Sequence, residues 1–398
     1  MTSVVVVGGG ALGLCTAFHL TELGVTDVTV LERSHVASAS SGLSVGIIET
    51  QYLDSLAIEV RVRSMEFFRR LETEHGLSIT RNGYLRLGHT ADDLDAFERS
   101  VEAQHELGVA DALVLDRDGL RSVAPDLECN DLAGGLFGPS DGYIDGHLYC
   151  NLLADLLRDR GGTVLTSTEL VGAELSGAGK HLLITPQSTL ECDVVVNAAG
   201  AWAPRVGELL GAPAHVLPQR HQALVVHLPR GLDYVMPSVM DYIPSSGEIG
   251  LYFRHETLAS LIAGLHTEEA LHDIVDPDDY GRSGEHEFMD EVARRLAHRL
   301  PELSGARLAG LWAGIYPVSP DGSPAVGPYR DRPTVVAVLG AGGSGLQSSP
   351  ALGRMAAEWI VHGESRTVPS GVRLLPDLKG ETWRSPSMPQ PGKHAPSS

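Results

Sequence analysis

The chain has 398 residues, 43% of them hydrophobic and 20% charged, which is typical of a globular protein of two or three domains. Its formal net charge of -21 opposes binding to nucleic acid or to anionic lipid. Four Cys without a CxxC pattern indicate neither disulfides nor a zinc site, and no apolar run approaches the ~18 residues that span a bilayer, so a cytoplasmic protein is expected.

The first 32 residues have the order of a dinucleotide-binding unit. Residues 4–7 predict a buried strand, residues 11–23 a helix, and residues 28–31 a second strand that ends at Glu32. Between strand and helix, Gly8, Gly10 and Gly13 form GxGxxG, which permits a tight turn, a close approach to pyrophosphate and close helix–strand packing. Glu32 would accept hydrogen bonds from a ribose diol. An ordinary glycine turn is the alternative interpretation.

Three later segments extend this pattern, although the motif alone does not distinguish NAD from FAD. Residues 38–48 form a small-residue loop with hydroxyls and backbone donors that could surround a long cofactor. Residues 192–211 lead from a buried strand through a small-residue turn into an amphipathic helix. Near the end, a strand leads into a glycine-rich turn at 340–345 and a helix from about Pro350, which provides a second helix N-terminus for a negative group.

These segments together carry a family resemblance. The ordered set GGGALG, LER, SSGLSVGII, DGYIDGHLYCNLL, VVNAAGAWA, LYFR, WAGIYPVSPDGSPAVGP and GAGGSGLQSSPALGR resembles the D-amino-acid oxidase superfamily of FAD enzymes over residues 3–362. Within that superfamily it is most similar to the glycine oxidase and sarcosine oxidase β-subunit branch. A second GxGxxG, which an NAD(P)H site would need, does not occur in the sequence.

The resemblance implies an α/β fold of two intertwined domains. A discontinuous Rossmann-like FAD-binding domain of the glutathione-reductase type would comprise residues 1–80, 143–215 and 323–370. A substrate domain with an antiparallel sheet would comprise residues 81–142 and 216–322, where alternating stretches indicate strands and residues 286–300 a helix. The Pro- and Ser-rich residues 380–398 have too little apolar content to fold alone and are expected to be a disordered tail.

FAD is the cofactor that the resemblance implies, and a noncovalent one, because sarcosine oxidases attach flavin to a Cys where this chain has Gly314. No metal is expected. The predicted FAD-binding residues are Gly8, Gly10, Ala11, Leu12, Gly13, Glu32, Arg33, Ser40, Ser41, Ala199, Gly200, Trp202, Gly314, Gly343, Ser344, Gly345, Leu346 and Gln347. Backbone amides of residues 343–347 would stabilise the reduced flavin near N1 and O2.

The implied reaction oxidises a C–N bond of a secondary or primary amine, by hydride transfer to flavin N5 that leaves an imine. Oxygen or another acceptor would take the electrons, and a homo- or hetero-oligomer is possible. Two alternatives remain open: oxidation of the C–OH group of a hydroxy acid or polyol, and a flavin-carrying subunit of a larger complex. In the second alternative, the role would be structural or electron transfer.

The substrate-facing residues depart from those of the family. Tyr316 stands where glycine oxidases hold the substrate carboxylate with Arg, and Glu49 and Gln347 stand where monomeric sarcosine oxidases use Arg and Lys. A bidentate Arg–carboxylate contact fixes geometry, so its loss predicts a substrate other than plain glycine or sarcosine. Either another cation replaces them, with Arg254, Arg220 and His255 as candidates, or the amine has no carboxylate at that end. Tyr316 could also be a core residue.

Glu49 and His266 complete the predicted catalytic set with Tyr316 and Arg254. Glu49 would bind a cationic group of the substrate, or pair with Arg61 or Arg63. His266 matches an active-site His of sarcosine oxidases and could take an ammonium proton, although a structural His is equally compatible. Ile262 stands where those oxidases have the Lys that activates oxygen, which favours a dehydrogenase as an alternative to an oxidase.

Overall fold

The computed structural model describes residues 2–244, 246–266, 274–303 and 305–368. The predicted tail at 380–398 lies outside the described residues. The strands are β1 (Ser3–Val7), β2 (Asp27–Leu31), β3 (Ile47–Ile48), β4 (Tyr84–Gly88), β5 (Leu113–Leu115), β6 (Gly134–Gly138), β7 (Gly142–Tyr143), β8 (Thr163–Leu165), β9 (Gly172–Leu175), β10 (His181–Ile184), β11 (Thr189–Cys192), β12 (Val194–Asn197), β13 (Leu217–His227), β14 (Ser238–Asp241), β15 (Gly250–Thr257), β16 (Ser260–His266), β17 (Arg307–Val318), β18 (Ala325–Tyr329) and β19 (Arg332–Leu339). The helices are α1 (Ala11–Glu22), α2 (Ser55–His75), α3 (Ala91–Glu106), α4 (Arg117–Val123), α5 (Gly146–Asp159), α6 (Ala203–Leu210), α7 (His286–Arg299) and α8 (Gly345–His362).

A six-stranded sheet carries the glycine motif. Its order is β18-β19-β12-β1-β2-β8, with every neighbouring pair parallel except the edge pair β18 and β19. The central strand β1 is almost entirely Val and lies between two parallel partners, as expected for a strand buried on both faces. Because the strands are parallel, the turns after β1, β2, β12 and β19 meet at the same edge of the sheet, where ligands bind in open α/β sheets.

An eight-stranded sheet forms the second layer of structure. Its order is β17-β13-β16-β15-β14-β4-β6-β5, antiparallel throughout except for the parallel pair β14 and β4. Strands and helix expected between residues 216 and 322 are present as β13, β15, β16, β17 and α7. The mixed α/β fold class is thereby confirmed, and the exact domain boundaries stay a prediction.

Helix α8 begins earlier than the sequence indicated. It was expected from about Pro350 but begins at Gly345, with Pro350 inside it. Proline lacks the N–H that would bond to the carbonyl four residues earlier, which here belongs to Leu346. The hydroxyl of Ser349 donates to that carbonyl instead, at 2.8 Å, so the helix continues through the proline.

Helices α1 and α8 pack at very close range in the core beside the parallel sheet. A Cβ added to Gly353 would lie 2.7 Å from Cβ of Cys15 and 2.7 Å from the backbone N of Thr16. Both neighbours are fully buried. Only a glycine therefore allows this helix–helix distance. Within the part of the chain that the structure describes, no helix has the length and apolar content required to cross a bilayer.

Gly353→Ala is expected to lower the free energy of unfolding by about 1–3 kcal/mol, because the added methyl overlaps the α1 backbone. That loss outweighs the gain of about 1 kcal/mol in helix propensity. Urea unfolding with FAD in excess measures the change in the free energy of unfolding. The matched control is Gly177→Ala, on an exposed turn where an added Cβ meets no heavy atom within 4 Å, with an expected change below about 0.5 kcal/mol. Equal effects of the two substitutions would refute the packing argument.

Candidate active site

A cavity of about 340 Å³ lies at the carboxyl edge of the six-stranded sheet and reaches β13, β15 and β17 of the second sheet. One part is lined by the turn after β1, the end of β2 and the turn after β12. The other part is lined by Tyr252, Tyr316 and His221, together with the turn that precedes α8. The cavity is thus elongated, and its two parts are formed by chemically different residues.

The glycine turn forms a surface that excludes side chains. Gly8 has a φ of +119°, which favours glycine, and a Cβ there would overlap the carbonyl oxygen of Ala198. A Cβ at Gly13 would overlap the carbonyl oxygen of Gly8. Helix α1 begins at Ala11 without a side-chain cap or an acidic residue in its first turn among the described residues. Ser41 Oγ accepts a hydrogen bond of 3.0 Å from Ala11 N, and the positive end of the helix faces the cavity, as in sites for phosphate groups.

Glu32 stands at the end of β2 and lines the same part of the cavity. Its Oε2 accepts a hydrogen bond of 2.8 Å from Gly9 N, and its Oε1 accepts one of 2.8 Å from Ser34 N. Two backbone donors thus hold a buried carboxylate beside the glycine turn. A carboxylate has further lone pairs, so this group can accept additional hydrogen bonds from ligand hydroxyls.

A second helix N-terminus also lines the cavity. Helix α8 begins directly after the turn 342–344, and the described residues provide neither a side-chain cap nor an acidic first-turn residue for it. Gly343 lies against Tyr316, since a Cβ there would be 2.5 Å from ring atom Cε2. Two helix N-termini at one cavity fit a long ligand with negative charge at two positions.

The aromatic end of the cavity is built on neighbouring strands. The rings of Tyr316 and His221 are stacked, with 3.8 Å between centroids and 18° between planes. Burial raises the pKa of Tyr316 to about 12, so its hydroxyl stays protonated. Burial also raises the pKa of Tyr252 well above its ordinary value. Both tyrosines can therefore donate a hydrogen bond at any physiological pH.

Most of the predicted residues meet in this one cavity. Those that line it are Gly8, Gly10, Ala11, Leu12, Glu32, Arg33, Ser40, Ser41, Ala199, Gly200, Trp202, Gly314, Tyr316, Gly343, Gly345 and Leu346. The cavity lining does not include Gly13, Glu49, Arg254, His266, Ser344 or Gln347. Gly13 packs against Gly8, and the other five lie outside the cavity lining.

Glu49 belongs to a buried ion pair. Its Oε1 accepts a hydrogen bond of 2.9 Å from Nε of Arg61, and the two side chains are 4% and 6% exposed. Nη2 of Arg61 also donates to Oγ of Ser344 at 3.1 Å, and Nε2 of Gln347 donates to Glu49 Oε1 at 3.4 Å. The pair with Arg61 was one of the two expected interpretations of Glu49. It connects α2 to the first residues of α8.

The two candidate arginines also have carboxylate partners, whereas Nδ1 of the third candidate, His255, is buried without a hydrogen-bond partner among the described residues. Arg254 pairs with Glu256 at 2.5 Å and donates from Nε to the carbonyl of Val45 at 2.6 Å. Arg220 pairs with Glu285 at 2.8 Å. These contacts account for both guanidinium groups, and neither residue lines the cavity.

His266 lies next to Tyr242, with 4.7 Å between ring centroids. Burial, assisted by the positive charge of Arg86, lowers the pKa of His266 to about 4. The imidazole is therefore neutral at physiological pH and does not present a positive charge to a ligand.

Two residues of the aromatic end escaped the sequence-based prediction. Tyr252 lies within the LYFR segment, and neither it nor His221 is among the predicted site residues. Both lie on strands, and the alternation of apolar and polar residues along a strand indicates only which residues share a face of the sheet. His221 reaches the cavity because it is paired in register with Gly314 on β17, and that pairing joins residues far apart in sequence.

The residues present fit an FAD molecule. The side-chain-free glycine turn, the two helix N-termini and the buried Glu32 provide groups complementary to a pyrophosphate and a ribose diol. The turn 342–344 and the aromatic wall provide a flat surface with backbone donors at the other end. Nothing in this arrangement requires a metal, and the described residues contain no group of three or more potential metal ligands.

Arg61→Met is expected to lower the free energy of unfolding by about 3–5 kcal/mol, since it leaves the Glu49 carboxylate buried without its partner. Chemical unfolding with FAD in excess measures the loss. The matched control is Arg63→Met on the same helix, whose pair with Glu66 has side chains 37% and 53% exposed and should contribute below about 1 kcal/mol. If Glu49→Gln/Arg61→Met were as unstable as Arg61→Met, the unpaired charge would not be the cause.

Comparison with known proteins identifies the family. A family model described as "FAD dependent oxidoreductase" (DAO) matches residues 3–359. The chain is 25% identical over 376 residues to the mitochondrial dimethylglycine dehydrogenase of Rattus norvegicus, covering 90% of this chain and 43% of that protein. The chain therefore spans less than half the length of that relative.

Two further similarities extend over most of this chain and over most of the protein compared with it. The FAD-dependent oxidoreductase domain-containing protein 1 of Xenopus laevis is 30% identical over 411 residues, covering 92% of this chain and 80% of that protein. The crystal structure of L-proline dehydrogenase from P. horikoshii superposes with a TM-score of 0.82 at 25% identity, covering 92% and 95% of the two chains. The resemblance and the FAD cofactor inferred from the sequence are confirmed, and the chain belongs to the DAO family of FAD-dependent oxidoreductases.

Proposed function

We propose that this chain oxidises the C–N bond of a primary or secondary amine or amino-acid derivative. The observation that carries the proposal is the single elongated cavity, which joins the FAD-type glycine turn to an aromatic end lined by Tyr252, Tyr316 and His221. The names of two similar proteins, a dimethylglycine dehydrogenase and an L-proline dehydrogenase, support an amine as substrate. When bound, FAD would supply the electron acceptor, and its N5 would take a hydride from the carbon beside nitrogen, which would leave an imine.

The residues proposed to hold FAD are those predicted from the sequence. Gly8, Gly10 and the first turn of α1 would accommodate the pyrophosphate, and Glu32 the ribose diol. Residues 343–347 would donate backbone N–H groups to the ring, with Ser344 and Gln347 held from behind by Arg61 and Glu49. Noncovalent FAD stays a prediction, and the described residues that line the cavity include no Cys to which a flavin could be attached. The predicted division into an FAD-binding and a substrate domain is part of this proposal.

The charges around the cavity support a substrate without a conventional Arg–carboxylate contact at Tyr316. The described arginines that line the cavity are Arg33, Arg205 and Arg282. Arg33 and Arg205 both pair with Asp278. Arg282 is exposed, with its guanidinium 5.5 Å from the ring centroid of Tyr280. Tyr316 and Tyr252 would instead orient the amine through their hydroxyls and exclude water from the reacting carbon.

The electron acceptor and assembly belong to the proposal as well. Ile262 is a buried strand residue at the position where monomeric sarcosine oxidases have the Lys that activates oxygen, which supports an acceptor other than oxygen. A cytoplasmic location and a homo- or hetero-oligomeric assembly stay predictions.

Anaerobic mixing of the FAD-loaded protein with a panel of compounds tests the proposed reaction. We expect the visible flavin absorption to bleach with L-proline or another primary or secondary amine larger than glycine and sarcosine, because hydride transfer reduces the flavin. Glycine and sarcosine are expected to bleach it weakly or not at all, and dimethylglycine serves as the tertiary-amine arm. Glycolate and glycerol 3-phosphate serve as the C–OH arm. Bleaching by the C–OH arm alone would favour the alcohol-oxidising alternative, and no bleaching by any compound would contradict catalysis by this chain alone. Readmitted air then measures reoxidation by oxygen.

Tyr316→Phe is expected to raise the KM for the fastest-bleaching amine about 2- to 10-fold, which corresponds to the loss of one neutral hydrogen bond. The stacked ring is retained, so stability should change little. The matched control is Tyr329→Phe, whose hydroxyl donates to the carbonyl of Pro213 at 2.8 Å, outside the cavity. That control should lower stability by about 1 kcal/mol and leave KM unchanged. An unchanged KM in Tyr316→Phe would exclude its hydroxyl from substrate binding.

A further inference from the structure

Residues 274–285, here called the strap, lie directly before α7 and form part of the cavity wall. Tyr280 and Arg282 of the strap line the cavity. Most residues of the strap are exposed to solvent, so few buried contacts hold it in place. Segments with few buried contacts open at a lower free-energy cost than the core of a protein.

Backbone contacts attach the strap to the eight-stranded sheet near both of its ends. Val275 N donates to the carbonyl of Pro218 on β13 at 2.9 Å. Near the other end, N of Ala313 on β17 donates to the carbonyl of Arg282 at 3.2 Å. These hydrogen bonds do not involve the side chains of the strap, so they keep it on this sheet whatever its side chains contact.

The middle of the strap reaches the other wall of the cavity through the side chain of Asp278. Its Oδ1 accepts hydrogen bonds of 2.8 Å from Nη2 of Arg33 and from Nε1 of Trp202. Its Oδ2 accepts a hydrogen bond from Nη1 of Arg205. These three donors all line the cavity, and Arg33 directly follows Glu32, the residue proposed to bind the ribose diol. One carboxylate thus joins the strap to the cofactor part of the cavity.

The contacts of Asp278 are of a kind that can break while the rest of the protein stays folded. The side chains of Asp278, Arg33 and Arg205 are 39%, 39% and 51% exposed. Exposed ion pairs stabilise weakly and are screened by salt. The middle of the strap can therefore separate from this wall locally, whereas the backbone contacts to β13 and β17 remain.

We propose that the strap closes over bound FAD and that Asp278 is the positioning residue that holds it closed. Removing the charge of Asp278 has two opposite effects on FAD. An open strap allows faster release, whereas the freed Arg33 and Arg205 would attract the phosphates and slow release. The direction of the change therefore distinguishes the two effects. This inference rests on the proposed placement of FAD in the cavity and not on the proposed reaction.

Exchange of bound FAD tests the role of Asp278 without any substrate. The FAD-loaded protein is mixed with an excess of radiolabelled FAD, and the rate at which label enters the protein gives the rate of release. Asp278→Asn, which removes the charge and keeps the shape, is expected to release FAD about 5- to 30-fold faster. The matched control Asp279→Asn makes the same charge change at an exposed side chain without an ion-pair partner among the described residues, and should change the rate less than about twofold.

Salt provides a second test that begins with the wild type. Raising NaCl from about 0.02 M to about 0.5 M screens exposed ion pairs, so FAD release from the wild type is expected to accelerate. The acceleration should be as large in Asp279→Asn and smaller in Asp278→Asn, which has already lost the screened charge. Release from the wild type that does not accelerate with salt would contradict the inference, even if Asp278→Asn did not fold.

Equal release rates in Asp278→Asn and Asp279→Asn would overturn the inference. Slower release in Asp278→Asn would also overturn it, because the freed arginines would then bind FAD directly. Glu32→Gln separates either failure from a wrong placement of FAD, since it should accelerate release if the ribose diol lies at Glu32. Acceleration in Glu32→Gln without acceleration in Asp278→Asn would refute the role of the strap alone. Because no amine is present, failure of the amine panel to bleach the flavin would count only against the proposed reaction.

Discussion

The close contact of backbone with backbone around Gly8 is the constraint on which the site depends. Gly8 lies so near the carbonyl of Ala198, and Gly13 so near the carbonyl of Gly8, that neither position has space for a Cβ. These contacts join the ends of β1 and β12 to the start of α1. They bring a helix N-terminus without a side-chain N-cap to the sheet edge, where the proposed pyrophosphate would bind. The close packing of α1 against α8 at Gly353 then sets where the second helix N-terminus can lie.

The buried charged side chains Glu49, Arg61 and Arg86 do not line the cavity. The Glu49–Arg61 pair links α2 to the turn that begins α8. Arg86 is 2% exposed and donates to the carbonyls of Gln51 and Tyr242, and its positive charge helps keep His266 neutral. The aromatic end of the cavity consequently consists of neutral hydrogen-bonding groups. This arrangement agrees with a site that binds an uncharged amine nitrogen and uses tightly held charges to position the surrounding backbone.

The sequence predicted the cofactor half of the molecule well because its signals are local. A Val-rich strand, three glycines at fixed spacing and an acid at the end of the next strand each follow from the covalent order of residues 3 to 32. The substrate half was harder to predict. Arg254 and Glu49 are charged residues near flavin-type motifs, but whether such a side chain faces a ligand depends on partners such as Glu256 and Arg61. The expected start of α8 at Pro350 was wrong. The Ser349 hydroxyl replaces the hydrogen bond that Pro350 cannot donate to Leu346, and this contact exists only in the folded helix.

The sequence by itself determined the family, the FAD cofactor, the α/β class and the glycine turn at residues 8–13. These features depend on residues that are close together in the chain. Only the tertiary structure decided what stands at the other end of the cavity. His221 meets Tyr316 because β13 and β17 pair in one particular register, and a shift of one residue would move both side chains to the opposite face. Likewise, Glu49 became a partner of Arg61 because α2 packs against the start of α8, and burial makes such a pairing obligatory for a carboxylate.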